Sequence, residues 1–151
     1  MLIPPSLLTS IRSHAREAYP AECCGMLIGT RTPEFIVTRI HPAANRATAP
    51  DRYDIDPLEV HAADTTTWGT DEEIIGFYHS HPDHTPEPSA HDTALAWVSY
   101  CYLIVGVNGA GETETRAWVR GDDSWDQEVL AAEEGAVPGS AVQCLDADER
   151  G

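Results

Sequence analysis

The chain is expected to fold as α/β, with a mixed β-sheet flanked by helices. Two observations carry this. Strand-length apolar runs alternate with stretches of helical spacing in the order α-β-β-α-β-α-β-β. The 151 residues, 42% of them hydrophobic, suffice for one real core and mark the chain as globular.

The first helix is read in "PPSLLTSIRSHAREAY". There Leu7, Leu8, Ile11, Ala15 and Ala18 recur near helical spacing behind prolines that a first turn tolerates. The whole opening from Met1 reads as this amphipathic helix, and it has no basic leader of the secretory kind. "CCGMLIGT" is a short buried strand ending at Gly29, with "TRTP" as its turn. "EFIVTRIHPAA" reads as a second strand with Phe35, Val37 and Arg39 on one face. Residues 41–57 are loop-rich, with a short strand around Tyr53–Ile55. "PLEVHAADTTTWG" starts on proline, spaces Leu58, His61, Ala62 and Thr65 helically, and stops at Gly69. "EEIIGFYHSH" is a strand, "SAHDTALAWVS" a helix, and "YCYLIVGV" and "ETETRAWVRGD" two further strands. "SWDQEVLAAEEG" fits a last strand or a short helix, and "AVPGSAVQCLDADERG" a frayed tail. One domain is therefore drawn over 1–125, with 126–151 as a C-terminal extension. Trp68, Trp97, Trp118 and Tyr102 are expected in or near the core.

Twenty-five acids face nine bases, every base is arginine, and the formal charge is −16. Such a chain repels nucleic-acid phosphates. It resembles proteins of salt-accumulating cells, where high ionic strength screens self-repulsion. An arginine-biased genome is the plainer alternative. No apolar run reaches the ~18–20 residues that span a bilayer, so a cytoplasmic protein is expected. Cys23, Cys24, Cys101 and Cys144 show no C-x-x-C pair or framework spacing and read as reduced thiols.

Chemistry concentrates in "GFYHSHPDHTPEPSAHD", residues 76–92. Side chains at i and i+2 of a strand share a face, so His79 and His81 point together at the strand's C-terminal end. An H-x-H pair alone fits two surface histidines, and Ser89-x-x-Asp92 alone is a helix-capping pattern. Together, joined by a loop stiffened by Pro82, Pro86 and Pro88, they offer two imidazoles and a carboxylate. Three such ligands leave a fourth position open, as catalytic zinc requires. A base for the hydrolytic water is then needed. Glu22, ahead of the strand in "YPAECCGMLIG", is the candidate, and an exposed turn acid is its alternative. His14 and His61 fit helix surfaces, His41 a loop, and His84 the loop between the motifs. His91 diverges from Asp92 by about 100° on a helix and is not expected as a ligand.

Glu22 before C-G-x-L-x-G, followed by H-x-H-P-x(6)-S-x-x-D, resembles the JAMM (MPN+) metalloprotease family over roughly residues 5–121. The resemblance implies the three-layer, cytidine-deaminase-like MPN fold. It also implies Zn2+ held by His79, His81 and Asp92, with Glu22 as general acid/base and Ser89 helping to hold the oxyanion. It implies a peptidase or isopeptidase that cuts after the diglycine of a small ubiquitin-like modifier, the expected partner, with a β-grasp fold and a glycine tail. The near-minimal, acidic, lysine-free chain is closest in character to archaeal desampylases. A peptidase that trims a cysteine from a sulfur-carrier protein is the alternative, and a module that binds such tails without cutting them is a weaker one. Deaminase H-x-E and P-C-x-x-C elements are absent.

Overall fold

The computed structural model describes residues 1–133. Their elements are β1 (Leu2–Ile3), α1 (Pro5–Ala18), β2 (Cys24–Thr30), β3 (Ile36–Ala43), α2 (Pro57–Thr65), β4 (Glu73–Pro82) and α3 (Ala90–Leu95), followed by β5 (Cys101–Val107), β6 (Thr113–Arg120), β7 (Trp125–Glu128) and β8 (Ala131–Ala132). All eight strands join one mixed sheet in the order β7-β6-β5-β4-β2-β3-β1-β8. β4 and β5 run parallel because α3 lies in the crossover between them, while β2 pairs antiparallel with both β3 and β4.

Helices cover both faces, as the α/β reading expects. α1 buries Leu8, Ile11 and Ala15 against Leu27, Val37, Ile75, Leu103 and Val105. On the other face Ala63 and Val60 of α2 pack with Cys24, Met26, Ile28, Phe77 and Tyr102. Fully burying one such aliphatic side chain contributes about 1.5–3 kcal/mol.

A bulge decides which face carries the histidines. β2 pairs Leu27 with Gly76 but Ile28 with Ile74, which leaves Ile75 as the extra residue on β4. Ile75 therefore turns to the α1 face, and Phe77 follows on the α2 face. His79 and His81 continue the Phe77 side, since the strand period is two. Tyr78 goes the other way. Its ring lies over Gly25, where an added Cβ would come within 2.2 Å of it, so only glycine leaves the space.

Several expectations need correction. Leu2 and Ile3 are not the start of a helix but a short strand pairing with β3 and β8, and α1 begins at Pro5. No strand forms at Tyr53–Ile55, because the backbone around it is held by the Asn45 side chain and by Arg46. A second bulge, at Thr38, turns Arg39 away from the Phe35/Val37 face toward Glu72. α2 stops at Thr65, and turns through Gly69 at φ 78 complete the segment. α3 ends at Leu95 because the Trp97 N–H donates to the Tyr102 hydroxyl at 2.8 Å and not to a helical carbonyl. That leaves Trp97 49% exposed, and Trp68 is 64% exposed, so neither is core; Trp118 is half-buried and Tyr102 buried. His41 lies in β3 and not in a loop, and His14 is half-buried, with Nδ1 2.8 Å from the Tyr78 hydroxyl.

"SWDQEVLAAEEG" supplies strands β7 and β8. Cys23, Cys24 and Cys101 are buried free thiols, whereas Cys144 and the expected tail lie outside the described residues. Arg31, Arg39, Arg46, Arg52 and Arg116 each sit within 4.0 Å of a carboxylate of the chain's own surface. No helix among the described residues is long and apolar enough to cross a membrane.

Candidate functional site

β4 ends where the parallel pairing with β5 runs out, and its last residues are His79, Ser80, His81 and Pro82. The β2 backbone meets it there. The Ser80 N–H donates to the Cys23 carbonyl at 3.2 Å, and the Cys23 N–H donates to Ser80 Oγ at 2.8 Å. This clamp brings Glu22, one residue earlier, to the mouth of the strand pair. Glu22 is only 4% exposed, and its Oε1 has no hydrogen-bond partner among the described residues. Burial pushes its pKa up to about 8; nearby His81 lowers it and nearby Asp92 raises it. The exposed-turn alternative for Glu22 therefore fails.

Asp92 reaches the histidines because of how α3 begins. Ser89 is its N-cap, with Oγ accepting from the Asp92 N–H at 3.0 Å, and the Ser89 N–H donates to Asp92 Oδ2 at 2.9 Å. This reciprocal capping box holds the first turn and aims the carboxylate inward. Oδ2 lies 3.1 Å from His79 Nε2 and 3.0 Å from His81 Nε2, and the two nitrogens are 3.1 Å apart. All three residues are buried.

Those donor atoms fit a metal. Ligands about 2.0–2.1 Å from a tetrahedral zinc stand about 3.3 Å from one another, close to this triangle. The tautomer of His81 agrees. His81 Nδ1 is 3.0 Å from the Thr85 carbonyl, which can only accept, so Nδ1 carries the proton. In the neutral ring Nε2 then presents a lone pair toward another nitrogen and an anionic oxygen, an arrangement that a cation completes. Burial holds His79 below the usual imidazole range. For His81, burial lowers the pKa, but hydrogen bonds to Asp92 and Thr85 outweigh it and raise the pKa overall. Burial likewise opposes ionisation of Asp92, yet its contacts with His79 and His81 and the Ser89 N–H hold it well below the carboxylate range.

Glu22, His81 and Ser89 line one cleft of ≈ 790 Å³, together with Pro50, Asp51 and His91. A smaller apolar groove of ≈ 170 Å³ reaches Asp92 from the α2 side, between Tyr53, Val60, Phe77, Leu95 and Trp97. The five residues singled out in the sequence thus meet at one place. His84 and His91 line the same cleft, while His14 joins Tyr78 on the opposite face of the sheet. Three contributors carry no motif: Thr85 through its carbonyl, Asn45, whose Nδ2 donates to the Glu22 carbonyl at 3.0 Å, and Tyr53.

The profile of a family described as prokaryotic homologs of the JAB domain matches residues 4–121. The chain is similar to a desampylase of Haloferax volcanii, 42% identical over 106 residues, covering 66% of this chain and 76% of that protein. It is also similar to a CysO-cysteine peptidase of Mycobacterium tuberculosis, 30% identical over 119 residues, 78% of this chain and 81% of that one. The solution structure of a Desulfitobacterium hafniense protein superposes with a TM-score of 0.75 at 30% identity, covering 87% of this chain and 93% of that chain.

Proposed function

Because the chain belongs to the prokaryotic JAB-domain family, as a JAMM peptidase close to the desampylases, we propose that His79, His81 and Asp92 hold a zinc ion beside a cleft that takes the diglycine tail of a small ubiquitin-like modifier. The bond cut joins that tail to a lysine or to a following peptide. One observation carries the reading: three metal-ligand donors converge, and one of them, His81, lines the same cleft as a buried carboxyl of lost acidity, Glu22.

Hydrolysis of an amide needs a proton taken from the attacking water and one delivered to the leaving amine. Zinc, when bound, supplies Lewis acidity toward a carbonyl oxygen and a water. Glu22, whose pKa burial raises to about 8 in the metal-free fold and a bound cation would lower, is the group placed to accept and release the proton. Its unpartnered Oε1 leaves it free to do so. Ser89 Oγ already accepts from the Asp92 N–H, so its own O–H is available to donate toward charge developing on the carbonyl oxygen. A glycine tail suits the site because residues without side chains let the backbone approach the reacting groups closely.

The test uses purified, zinc-loaded protein and a β-grasp modifier with a diglycine tail, joined linearly or through a lysine, with products read by mass. Release of a modifier ending in glycine supports the proposal. Uncut substrate in both forms, with zinc bound, overturns it. A second reading, trimming of a terminal cysteine from a sulfur carrier, is favoured by the likeness to the CysO-cysteine peptidase. It predicts cutting only of a cysteine-extended carrier.

A further inference from the structure

A ligand histidine is ordinarily held by a hydrogen bond from its second nitrogen, which fixes both the tautomer and the plane of the ring. His81 has that support, from the Thr85 carbonyl. His79 does not, since its Nδ1 is buried with no hydrogen-bond partner among the described residues. Its ring is covered instead by the phenol ring of Tyr53, 4.6 Å between centroids and inclined 27°, a stacked contact.

Tyr53 is itself held from both sides. Asn45 Nδ2 donates to the Arg52 carbonyl at 3.1 Å, and the Asp54 N–H donates to Asn45 Oδ1 at 2.9 Å. The Arg46 N–H donates to the Asp54 carbonyl at 2.8 Å, and the Arg46 guanidinium reaches the Asp54 carboxylate at 2.9 Å. The residues on either side of Tyr53 are therefore pinned although they belong to no strand. The same Asn45 amide grips the Glu22 carbonyl. Beneath, Tyr53 packs against the apolar cluster of Cys24, Met26, Phe77 and Tyr102.

We infer that Tyr53 is a positioning residue for the metal centre, its stacked ring setting the plane of His79 in place of a second hydrogen bond, with Asn45 holding Tyr53 in register. This rests on the zinc reading of His79, His81 and Asp92. The ring is what matters, so the hydroxyl is dispensable.

Tyr53→Phe, Tyr53→Leu and Asn45→Ala separate these points. Zinc affinity is read by competition with a chromophoric chelator, ligand geometry by the visible absorption of the cobalt-substituted protein, and the fold by the melting temperature of metal-free protein. Tyr53→Phe is expected to match the wild type in all three. Tyr53→Leu keeps the apolar contact beneath but is expected to bind zinc about 10–100-fold more weakly, as loss of an outer support does. Its cobalt spectrum shifts while its metal-free melting stays close to wild type. Asn45→Ala shifts affinity in the same direction. Tyr53→Leu with wild-type affinity and spectrum overturns the proposal alone, as does a Tyr53→Phe loss equal to that of Tyr53→Leu. Wild-type protein that binds no zinc overturns the reading of the three ligands and this proposal with it.

Discussion

Burial moves the acid chemistry of Glu22 far from its ordinary value. A carboxyl with a folded pKa near 8, against 4.5 for the free group, binds its proton more tightly in the fold than in the unfolded chain. Stability of metal-free protein should therefore fall as pH rises across that window and be restored below it. Glu22→Gln removes the titration. It should equal the wild type at pH 4 and exceed it above pH 8, by on the order of a few kcal/mol. Paired denaturation curves check this, and a difference flat with pH would contradict the burial argument. In zinc-loaded protein Glu22→Ala should lower turnover about a hundredfold to ten-thousandfold, the worth of general acid/base help, with metal content unchanged. The double change His79→Ala with His81→Ala should abolish zinc binding, and full occupancy by metal analysis would remove these ligands from the site.

At the scale of elements, α3 combines two tasks in its first turn. Ser89 caps the helix and, in the proposed chemistry, donates toward the carbonyl oxygen. Ser89→Asn keeps a capping side chain and loses the hydroxyl, while Ser89→Ala loses both. Ser89→Ala should cost about 1 kcal/mol of stability. Ser89→Asn should restore that stability while kcat remains depressed by a factor on the order of 100. Equal kcat in Ser89→Asn and wild type would leave Ser89 a cap and nothing more. The same turn shows what the sequence makes legible. S-x-x-D is local, so both the cap and the aim of Asp92 can be read from four residues. The apolar runs of β2, β4 and β5 announce buried strands in the same way. Features that depend on a distant partner stay hidden. The bulge at Ile75 shows only in the pairing with β2, the early end of α3 needs the Tyr102 hydroxyl, and the two-residue strand β1 forms only between β3 and β8. Tyr53 reads as strand in the sequence because the Asn45 bonds that replace a ladder close across a loop. Thr85 acts through a carbonyl that every residue possesses.

At the scale of the whole molecule, charge governs how the protein responds to salt. The formal charge is −16, and the arginines that pair with surface acids offset few of the twenty-five. Exposed pairs of this kind contribute about 0–1 kcal/mol each. In dilute buffer the Debye length is about 30 Å at 0.01 M, so carboxylates across the surface repel one another; at 1 M it is about 3 Å and they do not. Melting temperature should therefore climb from low salt to molar KCl. Activity should rise with it, or peak at intermediate salt if docking of a charged modifier weakens first. A melting temperature that stays flat or falls would set aside adaptation to salt and leave the fold and the site untouched.

An isopeptide bond to a protein is made on the ε-amine of lysine. The basic side chains of this sequence are guanidiniums, several of them engaged by the chain's own acids. Across its 151 residues the chain has no side-chain amine to acylate. If it strips modifiers from lysines, it cannot carry one on its own side chains, however abundant the activated modifier becomes. It should stay unlabelled there in a complete conjugation reaction that tags its neighbours. If such stripping is its activity, these 151 residues stand outside the modification that the enzyme reverses, and that mark on their side chains cannot tune its amount.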